Sequence, residues 1–65
     1  MARIEVYYRP GHFNRFREWI PEGYRAVLLD DGKFDRHDGK TVNEAVQLLC
    51  ELHDLDPSRV EIVYR

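Results

Sequence analysis

At 65 residues the chain falls below an ordinary domain of roughly 100–150 residues, so residues 1–65 are expected to form a single domain. A composition that is 43% hydrophobic and 34% charged excludes both a disordered chain of low hydrophobicity and a membrane-embedded one. Cys50 is the one cysteine, which excludes an intramolecular disulfide, and a core this small rarely supplies more than about 3–5 kcal/mol, so support from a partner or a second copy is expected.

The net charge of -2 is unevenly spread. Residues 1–25 carry five arginines against three glutamates, whereas residues 26–65 carry nine acids against five bases, so the later part is expected to present an acidic surface. No apolar run approaches the roughly 18–20 residues of a membrane span, and the opening MARIEVYYRPG lacks the apolar stretch of a signal peptide. A cytoplasmic location is the expectation.

Along the chain, Ala2 to Arg9 alternates, with Ile4, Val6 and Tyr8 on one side and Arg3, Glu5 and Tyr7 on the other, the pattern of a strand. Pro10-Gly11 ends it. From His12 to Ile20 the apolar residues Phe13, Phe16, Trp19 and Ile20 recur at i, i+3, i+6 and i+7, which predicts a short helix with these residues facing the core. Pro21-Glu22-Gly23 stops that helix. Tyr24 to Leu29 contains the continuous run Ala26-Val27-Leu28-Leu29, which suits a strand covered on both sides. Asp31-Gly32 predicts a two-residue hairpin with a type I′ turn, and Lys33 to Arg36 the short return strand, with only Phe34 to pack.

Thr41-Val42-Asn43-Glu44 fits a capping box at the start of a second helix. Behind it Val42, Ala45, Val46, Leu49 and Leu52 form one apolar stripe, opposed by Asn43, Glu44, Gln47, Glu51 and Asp54. Asp56-Pro57-Ser58 ends the pattern, and Val60, Ile62 and Tyr64 alternate with Glu61, Val63 and Arg65 as a final strand. The resulting order is β-α-β-β-α-β. It predicts an α+β domain with both helices on one face, either ferredoxin-like or a rearranged four-stranded sheet with the second strand inside. A ββαβ grasp-like fold is the alternative if the first helix is irregular.

Sites for chemistry are sparse. His12, His37 and His53 form no local ligand motif, and Asp30, Asp31, Asp35 and Asp38 match no calcium-loop register, so no metal and no cofactor are expected. Those aspartates read as turn formers. Cys50 borders the apolar stripe with nothing to activate it, and neither a Gly-x-Ser-x-Gly turn nor a glycine-rich phosphate loop is present, so an enzyme is not expected. The segment Tyr7 to Arg17 mixes aromatics with arginine, as single-strand nucleic-acid sites do, but the core spacing of Phe13, Phe16 and Trp19 and the negative net charge weigh against that use.

If the helices cover one face of the sheet, the other carries Tyr7, Val27, Leu29 and Val63, ringed by Arg3, Glu5, Arg25, Glu61 and Arg65. Tyr7, Arg25, Val27, Leu29, Val63 and Arg65 are therefore the candidate binding surface, for a protein partner or a homodimer. The leading expectation is a non-enzymatic protein-binding module. By size and charge alone it fits an inhibitor or regulator carried by a mobile element against host nucleic-acid machinery, of the kind that DNA-mimicking anti-CRISPR proteins represent. A single-stranded nucleic-acid-binding domain using Tyr7 and the early arginines is the alternative, and a small nuclease or toxin built on His37 and its neighbouring aspartates is the third reading.

Overall fold

The structure is a computed structural model and describes residues 2–65. Four strands, β1 (Arg3–Arg9), β4 (Gly23–Asp30), β5 (Lys33–Gly39) and β6 (Glu61–Tyr64), form a mixed sheet in the order β5-β4-β1-β6. A second, two-stranded sheet pairs β2 (His12–Phe13) with β3 (Trp19–Ile20). One helix, α1 (Val42–Leu52), and one short 3-10 turn, Pro57–Arg59, complete the chain. The chain is an α+β domain, but with one helix rather than two.

Most of the sheet follows from local chemistry. β4 pairs antiparallel with β1 and with β5, so the apolar strand lies inside the sheet and the weakly apolar β5 forms an edge. This is the rearranged sheet with the second strand inside. Ferredoxin-like order fails because its third strand would have to be central, and Lys33–Gly39 has too little apolar surface for that position. Leaving the small hairpin aside, the order is β-β-β-α-β, one strand more than the grasp-like alternative. The β4–β5 turn is at Asp31-Gly32 as expected, yet only Gly32 has positive φ (70°), so the turn is not type I′. The Asp30 carboxylate accepts from the Asp31 N–H instead.

Helix α1 starts where Thr41 Oγ1 accepts the Glu44 N–H at 3.1 Å. It crosses the sheet and brings the chain back to run β6 parallel to β1. Ile4, Val6, Ala26 and Leu28 from the sheet meet Ala45, Val46, Leu49 and Cys50 from the helix, and these eight residues are the buried core. The expected stripe is corrected at one position: Leu52 is 58% exposed, and Cys50 is buried in its place. Burial pushes the Cys50 thiol pKa up, which keeps it protonated and unreactive.

The largest correction is the helix expected over His12 to Ile20. That segment is a β-hairpin, and Phe13, Phe16 and Trp19, expected in the core, are 68%, 70% and 57% exposed. Two local causes override the helical spacing. The Asn14 carboxamide oxygen accepts the N–H groups of both Phe16 and Glu18, holding the chain in a turn that competes with helix. Phe13 and Trp19 then pair across the strands with ring centroids 5.1 Å apart at 68°. A segment of about nine residues bounded by Pro10 and Pro21 is also too short to recover the cost of helix nucleation.

Candidate functional site: the open sheet face and the aromatic hairpin

Residues directly paired across strands share a face, so register alone assembles the side of the sheet away from α1. Leu29 pairs with Arg3 and Phe34, and Arg3 with Glu61. Val27 pairs with Glu5 and Arg36, and Glu5 with Val63. Tyr7 pairs with Arg25, which pairs with Asp38. Tyr7, Val27, Leu29 and Val63 therefore lie together, with Arg25 beside Tyr7, and no described element covers them. Arg65 joins them because its N–H donates to the Val6 carbonyl, extending the β6 ladder past Tyr64. Sequence reasoning left Phe34 out of this set. Its register position opposite Leu29 places it there, 68% exposed.

The charged groups of this face are mostly occupied with one another. Glu5 accepts from Arg65 at 2.9 Å and lies 3.7 Å from Arg3, which also reaches Glu61 at 4.0 Å. The Arg65 hydrogen bond, with Arg3 beside it, holds the Glu5 carboxyl below the usual carboxylate range. Asp38 takes a bidentate pair of bonds from Arg25, at 2.7 and 3.1 Å, and Arg9 Nε stands 3.3 Å away. Its pKa is lowered accordingly, first by the Arg25 bond. Five arginines (Arg3, Arg9, Arg25, Arg36, Arg65) face three carboxylates here, so the open face is net positive. The acidic surplus expected of residues 26–65 lies on the helix side and in the loops, where Glu44 and Glu51 are exposed.

Beyond one end of the sheet stands the β2–β3 hairpin, whose strands pack only on each other. The molecule is correspondingly elongated, 38 by 21 by 20 Å. Arg9 fastens the hairpin's base by donating to the Pro21 carbonyl at 3.3 Å and meeting His12 Nδ1 at 3.2 Å. Tyr8 reinforces it through a hydrogen bond to Glu22, which raises the Tyr8 pKa, and Gly11 leaves room for the Trp19 ring, since a Cβ there would stand 2.5 Å from it. At the tip Arg17 adopts left-handed backbone, φ 61°, and the Arg15 guanidinium lies 5.4 Å from the Phe16 ring centre.

The three histidines separate. His12 belongs to the hairpin base, while His53, the C-cap of α1, and His37 converge on Asp35, whose Oδ2 lies 2.8 Å from His53 Nε2 and 3.3 Å from His37 Nε2. The His53 bond, helped by the Arg36 N–H, lowers the Asp35 pKa. This cluster joins β5 to the helix end. None of the described surface depressions is lined by Asp35 or a histidine, and among the described residues no group of three His, Cys, Asp or Glu side chains is placed to hold a metal ion. Among the described residues no helix is long and apolar enough to cross a membrane. Comparison with known proteins finds no match to this chain among protein families, curated proteins or solved structures.

Proposed function

We propose that the chain is a non-enzymatic protein-binding module whose working surface is the open sheet face. The observation that carries this is the pairing of an uncovered apolar centre, Tyr7, Val27, Leu29, Phe34 and Val63, with a rim in which four of the five arginines, all but Arg36, already hold carboxylate partners. Aromatic and arginine side chains of this kind dominate protein interfaces. Arginines that already share a carboxylate offer less of the counterion release on which phosphate-backbone binding depends, which favours a protein over a nucleic acid on this face. The net positive charge repels a second copy presented face to face and suits a partner with an apolar patch fringed by carboxylates. Acting by occupation, such a module serves as a regulator or inhibitor of that partner.

The test places a photo-cross-linking residue at position 34 and, as control, at position 48 on the helix. Adducts with a foreign protein from position 34 alone, lost in Leu29→Glu with unchanged circular dichroism, support the reading. Adducts that persist in Leu29→Glu refute it, and a self-adduct with a doubled mass by light scattering replaces it by homodimerisation.

A further inference from the structure

The β2–β3 hairpin presents three aromatic rings that contribute nothing to the buried core: Phe13, Phe16 and Trp19 are all more than half exposed, and the core cluster contains none of them. A solvent-facing aromatic trio on an otherwise well-ordered turn is costly to leave bare. The turn is nonetheless rigidly specified, by two N–H bonds to Asn14 Oδ1 and backbone bonds between Asn14 and both Arg17 and Glu18. Arg17 occupies a left-handed conformation in which glycine or asparagine would be at ease.

Charge selects among ligands. Pro10 to Arg17 contains no acid, and neither Arg15 nor Arg17 has a carboxylate within ion-pairing distance among the described residues. The nearest carboxylate in sequence, Glu18, turns back to the Asn14 carboxamide at 3.4 Å. The hairpin tip is thus the opposite of the sheet face, with free cations in place of paired ones. The two cations flank Phe16 at the apex, so the tip cannot enter a hydrocarbon layer without carrying both guanidinium groups with it. Phe16 and Trp19, each more than half exposed and set beside arginines that hold no carboxylate, suit unstacked bases joined by phosphates.

We infer that the hairpin is a second binding site, in which Phe16 and Trp19 stack on bases of a single-stranded nucleic acid while Arg15 and Arg17 neutralise its phosphates. This site is separate from the sheet face, and its test can succeed or fail independently. Trp19 is the only tryptophan, so its emission reports directly on the site. Titration with single-stranded oligothymidylate at low salt should quench that emission saturably, with an apparent Kd between roughly 1 and 100 μM. The log–log salt slope should be roughly -1.4, as two neutralised phosphates on a single strand require. By anisotropy of a labelled oligonucleotide, Phe16→Ala should weaken binding at least about fivefold, and the Arg15→Glu/Arg17→Glu double variant should abolish it. Leu29→Glu should leave it unchanged.

Circular dichroism controls for folding, and Phe16 is exposed enough that its loss does not disturb the core. The inference is overturned by absence of quenching up to roughly 100 μM oligonucleotide, the weak limit of non-specific binding. Unchanged affinity in Phe16→Ala, equal affinity for blunt duplex, or loss of binding in Leu29→Glu would overturn it equally. So would a Trp19 blue shift with phosphatidylcholine–phosphatidylserine vesicles and none with oligonucleotide.

Discussion

Leu28 and Leu29 are adjacent in β4 and have the same side chain, yet Leu28 is fully buried under α1 while Leu29 keeps part of its surface in water. The same division runs through the whole sheet: Ile4, Val6 and Ala26 face the helix, and Glu5, Tyr7 and Val27 face nothing. One side holds the buried core, and the other leaves its side chains partly in water. Alternation at period two makes this separation possible, because it gives each strand two independent sets of side chains.

The sharpest way to break that comparison is to remove the centre of the covered side. Leu49→Ala should cost about 2–5 kcal/mol, close to the entire margin of a domain this small, and chemical denaturation will read it. An unchanged midpoint would mean that the helix does not hold the sheet. Next comes the adjacent pair: Leu28→Ala should destabilise by about 2–5 kcal/mol and Leu29→Ala by less than about 1.5 kcal/mol, so equal costs would show that the open face is covered in solution.

Acid provides a smaller effect that touches both sides. Asp35 on the helix side and Glu5 and Asp38 on the open side all have pKa values lowered by folding. Carboxylates of this kind contribute stability that is fully present above their unfolded values, here 3.8 to 4.5, and is lost as pH falls through the lower folded values. Melting temperature should therefore vary little with these groups from pH 6 to 8 and drop below about pH 4. Asp35→Asn should flatten that drop. The smallest effect belongs to the hairpin: Arg17→Gly should relieve roughly 1 kcal/mol of left-handed strain and slow hydrogen exchange of the hairpin amides, leaving the global midpoint unchanged.

Sequence pattern and structure agree where one force dominates. The strands through Val6 and Ile62 are legible from alternation, the Thr41 cap from its hydroxyl and the turn at Asp31-Gly32 by position. The strand through Leu28 is legible from its apolar run, although only one of its two sides is covered. They diverge between residues 12 and 20, where the spacing of Phe13, Phe16 and Trp19 imitates a helix face. The signal that could have found the hairpin is Asn14, four residues before Glu18 and able to tie two backbone N–H groups into a turn, with Phe13 and Trp19 placed to pair across it. Phe34 was missed for a different reason. Its face was legible, because a two-residue turn at Asp31-Gly32 pairs Asp30 with Lys33 and Leu29 with Phe34, but the thinness of the return strand masked that register.

The parallel pairing of β1 with β6 also has a consequence for how the domain is made. Arg3 to Val6 acquire their second neighbour only from Glu61 to Tyr64, near the other end of this stretch of chain. During synthesis the first hairpin can form early, but β1 remains an unprotected edge until residues 61–64 have left the ribosome. A nascent chain stalled before Glu61 should be digested by protease far faster than one extended past Arg65, and equal resistance would show that the helix and three strands are self-sufficient. β6 is thus the strand that shields β1 from pairing with a neighbouring chain on the same message.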